Sequence, residues 1–598
     1  MVSLSDEDIR SRSFDYNIIK RFMPYVMVYK KDVLLGFFFI LLLTGASLLI
    51  PLVVKNLIDK SDCLIGSSCQ DIDQVKNSIL IGLLQFLGLA IIVSSSIFLS
   101  DSIIEKVGEN ILLDLRKKMF MHLQDVSISF MDKTDVGRLM SRLQGDVAAM
   151  QEALQMSVFA IGDFVLICGI ITVLLSMNLQ LGILTLLVMP LMLIIRMFWL
   201  PKAREAFLDA RVKSSAATSY LAENINGIRT IQSFNRQQFN ADVYEKKAND
   251  LLKAQLRASK FSSLMLPTVE TLTGISFAII IIVGANLVIN DKITAGVMVA
   301  YMLLVQRFFD PIRTISMQYN SMQRAMASGY RIFEVLDIPV TIKDPKKPLD
   351  CPLDGSIKFE NVSFAYVERN YILRDFNLSI ENGERIGIVG PTGAGKSTIS
   401  NLIHRFYDTN KGKVILGGVE IRKLSQEYIG KKVGMVLQDP FLFSGTILDN
   451  VKYGNENVSL VEVEKATEEL GMMEFIDSLD NRFDTIIGQR GSDLSMGQRQ
   501  LLSILRALVA DTQYLILDEA TSSIDSYTEK KIQKALDVLL QNRTSITIAH
   551  RLATVRKCHK IIVLNAGSIE EIGSHEELLR NKGLYSRLYD LNYSSFDD

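Results

Sequence analysis

Ile386-Gly-Ile-Val389 runs without a break into Gly390-Pro391-Thr392-Gly393-Ala394-Gly395-Lys396-Ser397. An apolar strand that leads into GxxxxGK[ST] and then into a helix is the arrangement that wraps a phosphate in backbone N–H groups. The glycines let the loop come close to the anion, Lys396 neutralises the β and γ phosphates, and Ser397 is placed to ligate Mg²⁺. Thr398 follows in the first turn of the helix, whose N-terminus adds the positive end of its dipole. Gly390 to Thr398 is thus the candidate ATP-binding loop.

Further along, Tyr514-Leu-Ile-Leu-Asp518-Glu519 is a second strand, apolar until it delivers two carboxylates at its C-terminal end. Ligands bind at that end of strands in open α/β sheets. The adjacent carboxylates suit different tasks: Asp518 reaches Mg²⁺ through its coordination shell, and Glu519 polarises the water that attacks the γ phosphate. Short β-rich runs alternate with helical stretches throughout this half, which predicts a soluble α/β domain with a mostly parallel sheet.

Pro339, Pro345 and Pro348 fall in a short stretch that also holds Lys343, Asp344, Lys346 and Lys347. That composition reads as an exposed extended linker, here residues 336–350, with the ATPase domain at 351–598 and a different domain at 1–335.

The first 335 residues read as a membrane domain. Residues 33–54 and 78–100 carry no charge, each long enough to cross a hydrocarbon core of about 30 Å. Between Glu152 and Arg196 the only charge is Asp163, so this stretch holds two crossings joined by a tight break at Met177-Asn178. Residues 271–290 make a fifth span, and the 14 uncharged residues 293–306 a sixth. The sixth is accepted on topology, because an even count returns the ATPase half to the side on which the chain began. Lys30, Lys31, Arg116, Lys117, Lys118, Lys202, Arg204, Lys253, Arg257 and Lys260 fall in the inner segments, which orients both termini to the cytoplasm. No cleavable signal peptide precedes the first span. The intervals 101–152 and 196–270 are long, charged and amphipathic, and read as helices that project into the cytosol. Upstream, Ile18, Ile19, Phe22, Met23 and Val26 recur at helical spacing, as in an interfacial helix or in the first turns of span one. Of the intramembrane charges Asp163, Glu270, Arg307 and Asp310, the last two are spaced to pair on one helix face.

Composition agrees with a fusion of a membrane bundle and a soluble enzyme. Of 598 residues 48% are hydrophobic, yet 22% are charged, and the mean hydropathy is +0.22. The formal charge of -1 provides no basic field for nucleic acid. Five cysteines without metal spacing exclude a disulfide framework and a zinc site. Cys63 and Cys69, in the first outer loop, leave a single small-loop bridge open.

Residues 351–590 resemble the nucleotide-binding domain of ABC transporters. The elements that carry the resemblance, besides the loop and Asp518-Glu519, are Leu494-Ser495-Met496-Gly497-Gln498, similar to the family's LSGGQ signature, Tyr366, Gln438, the stretch Ser522 to Asp525, and His550. The resemblance implies that Tyr366 stacks on adenine and that Gln438 reaches Mg²⁺ and the attacking water. It also implies that His550 is the switch histidine and that Ser495, Gly497 and Gln498 meet the γ phosphate held by a second ATPase domain. Residues 15–335 resemble the exporter type of the family, carried by Ser129 to Arg142, Glu223 to Phe234 and Tyr319 to Phe333. The first two of these stretches hold short coupling helices in such exporters.

The resemblance implies a six-helix half-transporter in the cell membrane that binds ATP and Mg²⁺. It would pair with a second half-transporter and move a hydrophobic or amphipathic substrate out of the cytoplasm or across the leaflets. A homodimer suffices, since Lys396, Ser495 and Glu519 share one chain; a heterodimer stays open, as does the substrate. An ATP-gated channel or regulatory subunit on the same fold is the alternative. Two departures stand out: Met496 replaces the first glycine of the signature, and Gln489 stands where many exporters have Glu.

Overall fold

The computed structural model describes residues 15–65, 72–367, 370–519, 526–549 and 555–593. The chain forms two compact units, one of the segments up to Leu123 with Gly137–Asp337, the other of Gln124–Val136 with the chain from Ile338 onward.

The first unit is helical, as uncharged stretches must be where no water can satisfy a free backbone. Among the described residues five helices are long and apolar enough to cross a membrane: Lys30–Ser61, Lys76–Asp125, Val136–Met177, Leu179–Asn226 and Gln237–Ile289. They continue well past the uncharged windows, and Ile72–Asp125 alone has 54 residues, about 80 Å at 1.5 Å each. The expected sixth span opens the helix Ala295–Leu336. Its modest length of apolar sequence has a packing reason: Val297, Ala300, Tyr301, Leu304, Val305, Phe308 and Phe309 are all buried against the other helices.

Polar groups in this unit are used at helix ends. The chain breaks at Asn178, whose side chain accepts from Leu181 N at 2.9 Å, and the Tyr301 hydroxyl donates to the carbonyls of Leu174 and Asn178 that the break exposes. Asp59 of the helix Lys30–Ile65 accepts from Gly296 N at 2.9 Å. A Cβ at Gly296 would lie 2.3 Å from the Lys55 carbonyl, so this cap requires glycine. Arg307 donates to the Ser47 carbonyl at 3.3 Å, while Asp163 and Asp310 each have a partner and Glu270 is exposed. Tyr16–Val28 is a helix of its own that ends at Tyr29, not the first turns of span one. It is held by buried Ile18 and Phe22 and by a two-pronged Arg21–Asp337 pair at 2.6 and 2.7 Å.

Cys69 lies outside the described residues, as does the side chain of Cys63; among the described residues Cys168, Cys351 and Cys558 form no disulfide.

The second unit contains two main sheets. Strands β1 (Ile357–Phe364), β2 (Leu373–Ile380), β3 (Arg385–Val389), β4 (Lys411–Leu416), β5 (Val419–Glu420) and β6 (Val433–Val436) come first. A short pair, β7 (Gly445–Thr446) and β8 (Ile486–Ile487), precedes β9 (Tyr514–Glu519), β10 (Thr544–Ala549), β11 (Lys560–Asn565) and β12 (Ser568–Gly573). The larger sheet has the order β12-β11-β3-β10-β9-β6 and is parallel except for its β12 edge. An antiparallel sheet, β2-β1-β4-β5, packs with it over one core that includes Phe359, Phe376, Ile386, Ile399 and Tyr514. A second core, with Val463, Ile504, Leu505 and Leu536, holds the helices between β6 and β9 and the helix that follows β9. The extended stretch before β1 is exposed but not loose. Asp344 accepts from Gln426 N, Asp350 accepts from Ser425 N and Oγ, and buried Arg405 donates to the carbonyls of Lys343 and Leu424.

Candidate active site

Three of the chemically loaded segments emerge at the C-terminal edge of the parallel sheet. β3 ends at Val389 and releases the phosphate loop, β9 ends in Asp518 and Glu519, and β6 ends two residues before Gln438. β10 lies between β3 and β9, and its last residue, Ala549, is in register with Glu519. His550 and the stretch 521–525 lie outside the described residues, as does the side chain of Glu519.

The loop is shaped for an anion. Gly390, Gly393 and Gly395 have φ of 154°, 83° and 102°, conformations open chiefly to glycine. A Cβ at Gly390 would sit 2.2 Å from the Leu564 carbonyl of β11, whereas one at Gly393 would meet nothing within 4 Å. Pro391, Thr392, Gly393 and Ser397 are exposed, and Ala394, Gly395 and Lys396 are buried. The Lys396 ammonium folds over the loop and donates to the carbonyls of Gly390 at 2.7 Å and Pro391 at 3.0 Å. Burial lowers its pKa from the ordinary lysine value, and the charge of Asp518 opposes that shift. A phosphate would act in the same sense as Asp518. A buried cation, a glycine-lined cradle and the start of the helix Lys396–Ile403 together fit a nucleotide triphosphate. Among the described residues no group of three or more His, Cys, Asp or Glu could hold a metal by itself. Ser397, exposed at the start of the loop helix, and Asp518, near the end of β9, carry oxygens of the kind that would suit a Mg²⁺ sharing phosphate oxygens.

Tyr366 is half-buried, perpendicular to Phe364 and to Tyr407, with both ring centroids at 4.9 Å. Its hydroxyl donates to Thr398 Oγ1 at 3.2 Å and accepts from Asn401 Nδ2 at 3.0 Å. Thr398, expected in the nucleotide loop, is buried beneath Tyr366 and fixes the ring. Gln438 is exposed.

The signature segment forms the start of the helix Met496–Val509. Ser495 Oγ accepts from Gln498 N at 3.2 Å, and Gln498 Oε1 accepts from Ser495 N at 2.8 Å. Gln498 is thus engaged in a reciprocal capping box, which the spacing Ser495-x-x-Gln498 already encodes. Met496 is the first helical residue and has no positive φ, so a side chain replaces glycine there without backbone strain. Gln489 is exposed beside Arg490, whose φ is 56°. Residues that the sequence reading missed are Asn401 and Tyr407. The aromatic run Phe406-Tyr407 just past the loop helix was the available signal.

Comparisons with known proteins cover both halves. Residues 33–312 match the family model of the ABC transporter transmembrane region, and residues 373–522 match that of the ABC transporter. An uncharacterized ABC transporter ATP-binding protein of Bacillus subtilis, YknV, is 36% identical over 99% of this chain and 97% of its own length. An ATP-dependent lipid A-core flippase of Desulfotalea psychrophila is 34% identical over 96% of this chain and 99% of its own. Among solved structures, a bacterial Atm1-family ABC exporter with ATP bound aligns with a TM-score of 0.75 at 25% identity, covering 95% of this chain and 99% of the other. A nucleotide-shaped loop at the edge of a parallel sheet, in a chain whose other half is a bundle of membrane-length helices, agrees with all three. This chain belongs to the ABC transporter family, as an exporter-type half-transporter whose ATPase domain works in a dimer with that of another half-transporter.

Proposed function

We propose that two copies of this chain form an ATP-driven exporter of hydrophobic or amphipathic molecules, with both termini on the cytoplasmic side. The observation that carries the reading is the convergence of the phosphate loop, Asp518-Glu519 and Gln438 on one sheet edge, in a chain with one signature helix. In this reading Lys396 and the loop N–H groups hold the β and γ phosphates, and Tyr366 stacks on the base. Ser397, Asp518 and Gln438 hold Mg²⁺, which supplies charge stabilisation for the transferring phosphoryl group. Glu519 orients and polarises the attacking water, and His550 serves as the switch. Ser495 and Gly497 present a capped helix N-terminus to the nucleotide of the partner chain.

The similarity to a lipid A-core flippase supports an amphipathic lipid as the substrate class. A homodimer is the simplest assembly, since each chain carries both halves of the composite site. The test is to reconstitute the chain alone in liposomes and follow ATP-dependent movement of fluorescent lipids and amphiphiles, with Lys396→Ala as the control. Movement with the wild type and none with Lys396→Ala is expected. Dependence on a second, different polypeptide would replace the homodimer, and movement without ATP would remove the exporter reading.

A further inference from the structure

We propose that Tyr407 is a positioning residue that couples base stacking on Tyr366 to the first cytosolic turn at residues 127–134. This rests on the reading of Tyr366 as the base-stacking ring.

The geometry begins at the end of the phosphate-loop helix. After Ile403 the chain turns at Arg405, which adopts φ 53° and is buried. Its guanidinium donates to the Leu424 and Lys343 carbonyls and faces Asp408, and those acceptors hold the unusual backbone in place. The turn lays Tyr407 against the ring of Tyr366, with centroids 4.9 Å apart at 87°, and against Phe364 at 5.6 Å and 69°. Perpendicular ring pairs of this kind are favourable beyond their burial. At its other end Tyr407 donates its hydroxyl to Asp132 Oδ2 in a short hydrogen bond. Asp132 caps the helix Ile128–Met131, and that whole segment belongs to the same compact unit as the ATPase sheets. Burial and the neighbouring carboxylate both raise the pKa of the Tyr407 hydroxyl above the ordinary tyrosine value, so it stays a donor.

One side chain therefore touches the ring that would carry the base and the turn that joins two membrane helices. Tyr366 is fixed from its hydroxyl side by Thr398 and Asn401. The side toward Tyr407 is where a change in ring position is passed on. Coupling of this sort is reciprocal: whatever base stacking adds to the Asp132 contact, the contact adds to base stacking.

The experiment uses the full-length wild type and variants in lipid nanodiscs. It measures binding of ATP and of base-free tripolyphosphate, steady-state KM and kcat, and hydrogen exchange of residues 126–136 with and without ATP. Tyr407→Phe keeps the ring and loses the hydroxyl. Its KM for ATP is expected to stay within about twofold of wild type, a shift below the effect of a ring pair. The ATP-dependent protection of residues 126–136 should fall by about fivefold or more, the lower bound of a typical coupling. Asp132→Ala should reproduce that loss, Asp132→Asn, which keeps an acceptor, should restore most of it, and the double variant should be no worse than either single one. Tyr407→Ala should weaken ATP binding roughly two- to tenfold, the worth of the lost ring pair, and leave tripolyphosphate binding unchanged. Wild-type protection in Tyr407→Phe, or equal losses for both ligands in Tyr407→Ala, overturns the proposal. Tyr366→Ala is run alongside. If it leaves the preference for ATP over tripolyphosphate unchanged, the base-stacking reading itself fails; if it removes that preference while the Tyr407 variants are silent, only the coupling role does.

Discussion

Gly390 and Gly393 stand three residues apart in the same anion cradle, yet the structure predicts unequal consequences for adding a methyl group to each in the absence of nucleotide. At Gly390 the new Cβ would lie 2.2 Å from the Leu564 carbonyl, a backbone atom of β11, which pairs with β3 up to Val563 and with β12 at Leu564 itself. Relief requires moving a central strand or the loop, and overpacking of this kind costs about 1–3 kcal/mol, with a similar amount for a non-glycine residue in a strained conformation. Taking ~3 kcal/mol for Gly390→Ala, the melting temperature of the nucleotide-free ATPase domain should fall by ~6–12 °C. At Gly393 nothing lies within 4 Å and only the backbone, at φ 83°, opposes the change. That costs about 1–2 kcal/mol, or ~2–8 °C. Thermal unfolding of the full-length variants without nucleotide, followed by intrinsic fluorescence in lipid nanodiscs, separates the two. A Gly393→Ala protein as unstable as Gly390→Ala would refute the argument that the β11 contact, rather than loop flexibility, makes Gly390 necessary.

Two other outcomes follow from single residues. His404 has a buried Nε2 with no hydrogen-bond partner and stacks on Phe406, and burial pushes its pKa from 6.5 down to about 4. Between those values the unfolded chain binds the proton and the folded chain does not, so this contribution is intact above about pH 6.5 and is lost as pH falls towards about 4, up to ~3 kcal/mol. Melting of His404→Gln should therefore drop less than wild type between about pH 7 and pH 4.5, by ~5–10 °C, and identical pH profiles would show that His404 is not held neutral. Met496→Gly should change steady-state ATPase by less than about twofold, because Met496 needs no glycine conformation and a glycine in the first helical turn costs under about 1 kcal/mol; a large gain in rate would mean that the methionine side chain obstructs the site.

The parts of the site that could be read in the sequence are those in which local pattern and chemistry coincide. A strand, a glycine-rich loop and a lysine in a row leave few other structures open, and two carboxylates at the end of an apolar strand mark a ligand edge. Contacts between distant segments were not legible. The antiparallel sheet depends on β1 pairing with β4, as in Ile357 with Leu416, and nothing in either strand names its partner. The bond from Arg307 to the Ser47 carbonyl spans 260 positions, and charge spacing along one helix does not name it. Thr398 makes a contact that the motif does not name, its Oγ1 accepting from the hydroxyl of Tyr366, 32 positions away. The sixth span offers only 14 uncharged residues before Arg307, and its packing against other helices, through Val297, Tyr301, Leu304 and Phe308, is not visible in that count.

In the proposed mechanism, paired ATPase domains hydrolyse ATP with Glu519 as the residue that activates water. The direct measurement is turnover and retained nucleotide for Glu519→Gln, purified as the single polypeptide in lipid nanodiscs with MgATP. Turnover should fall by about 10²- to 10⁴-fold, because the amide keeps the shape of the carboxylate and loses its charge. Binding should persist, since Lys396 and the loop are untouched, and the dimer should retain one ATP per chain. Wild-type turnover in Glu519→Gln, or full ATPase activity in a strictly monomeric chain, would contradict it.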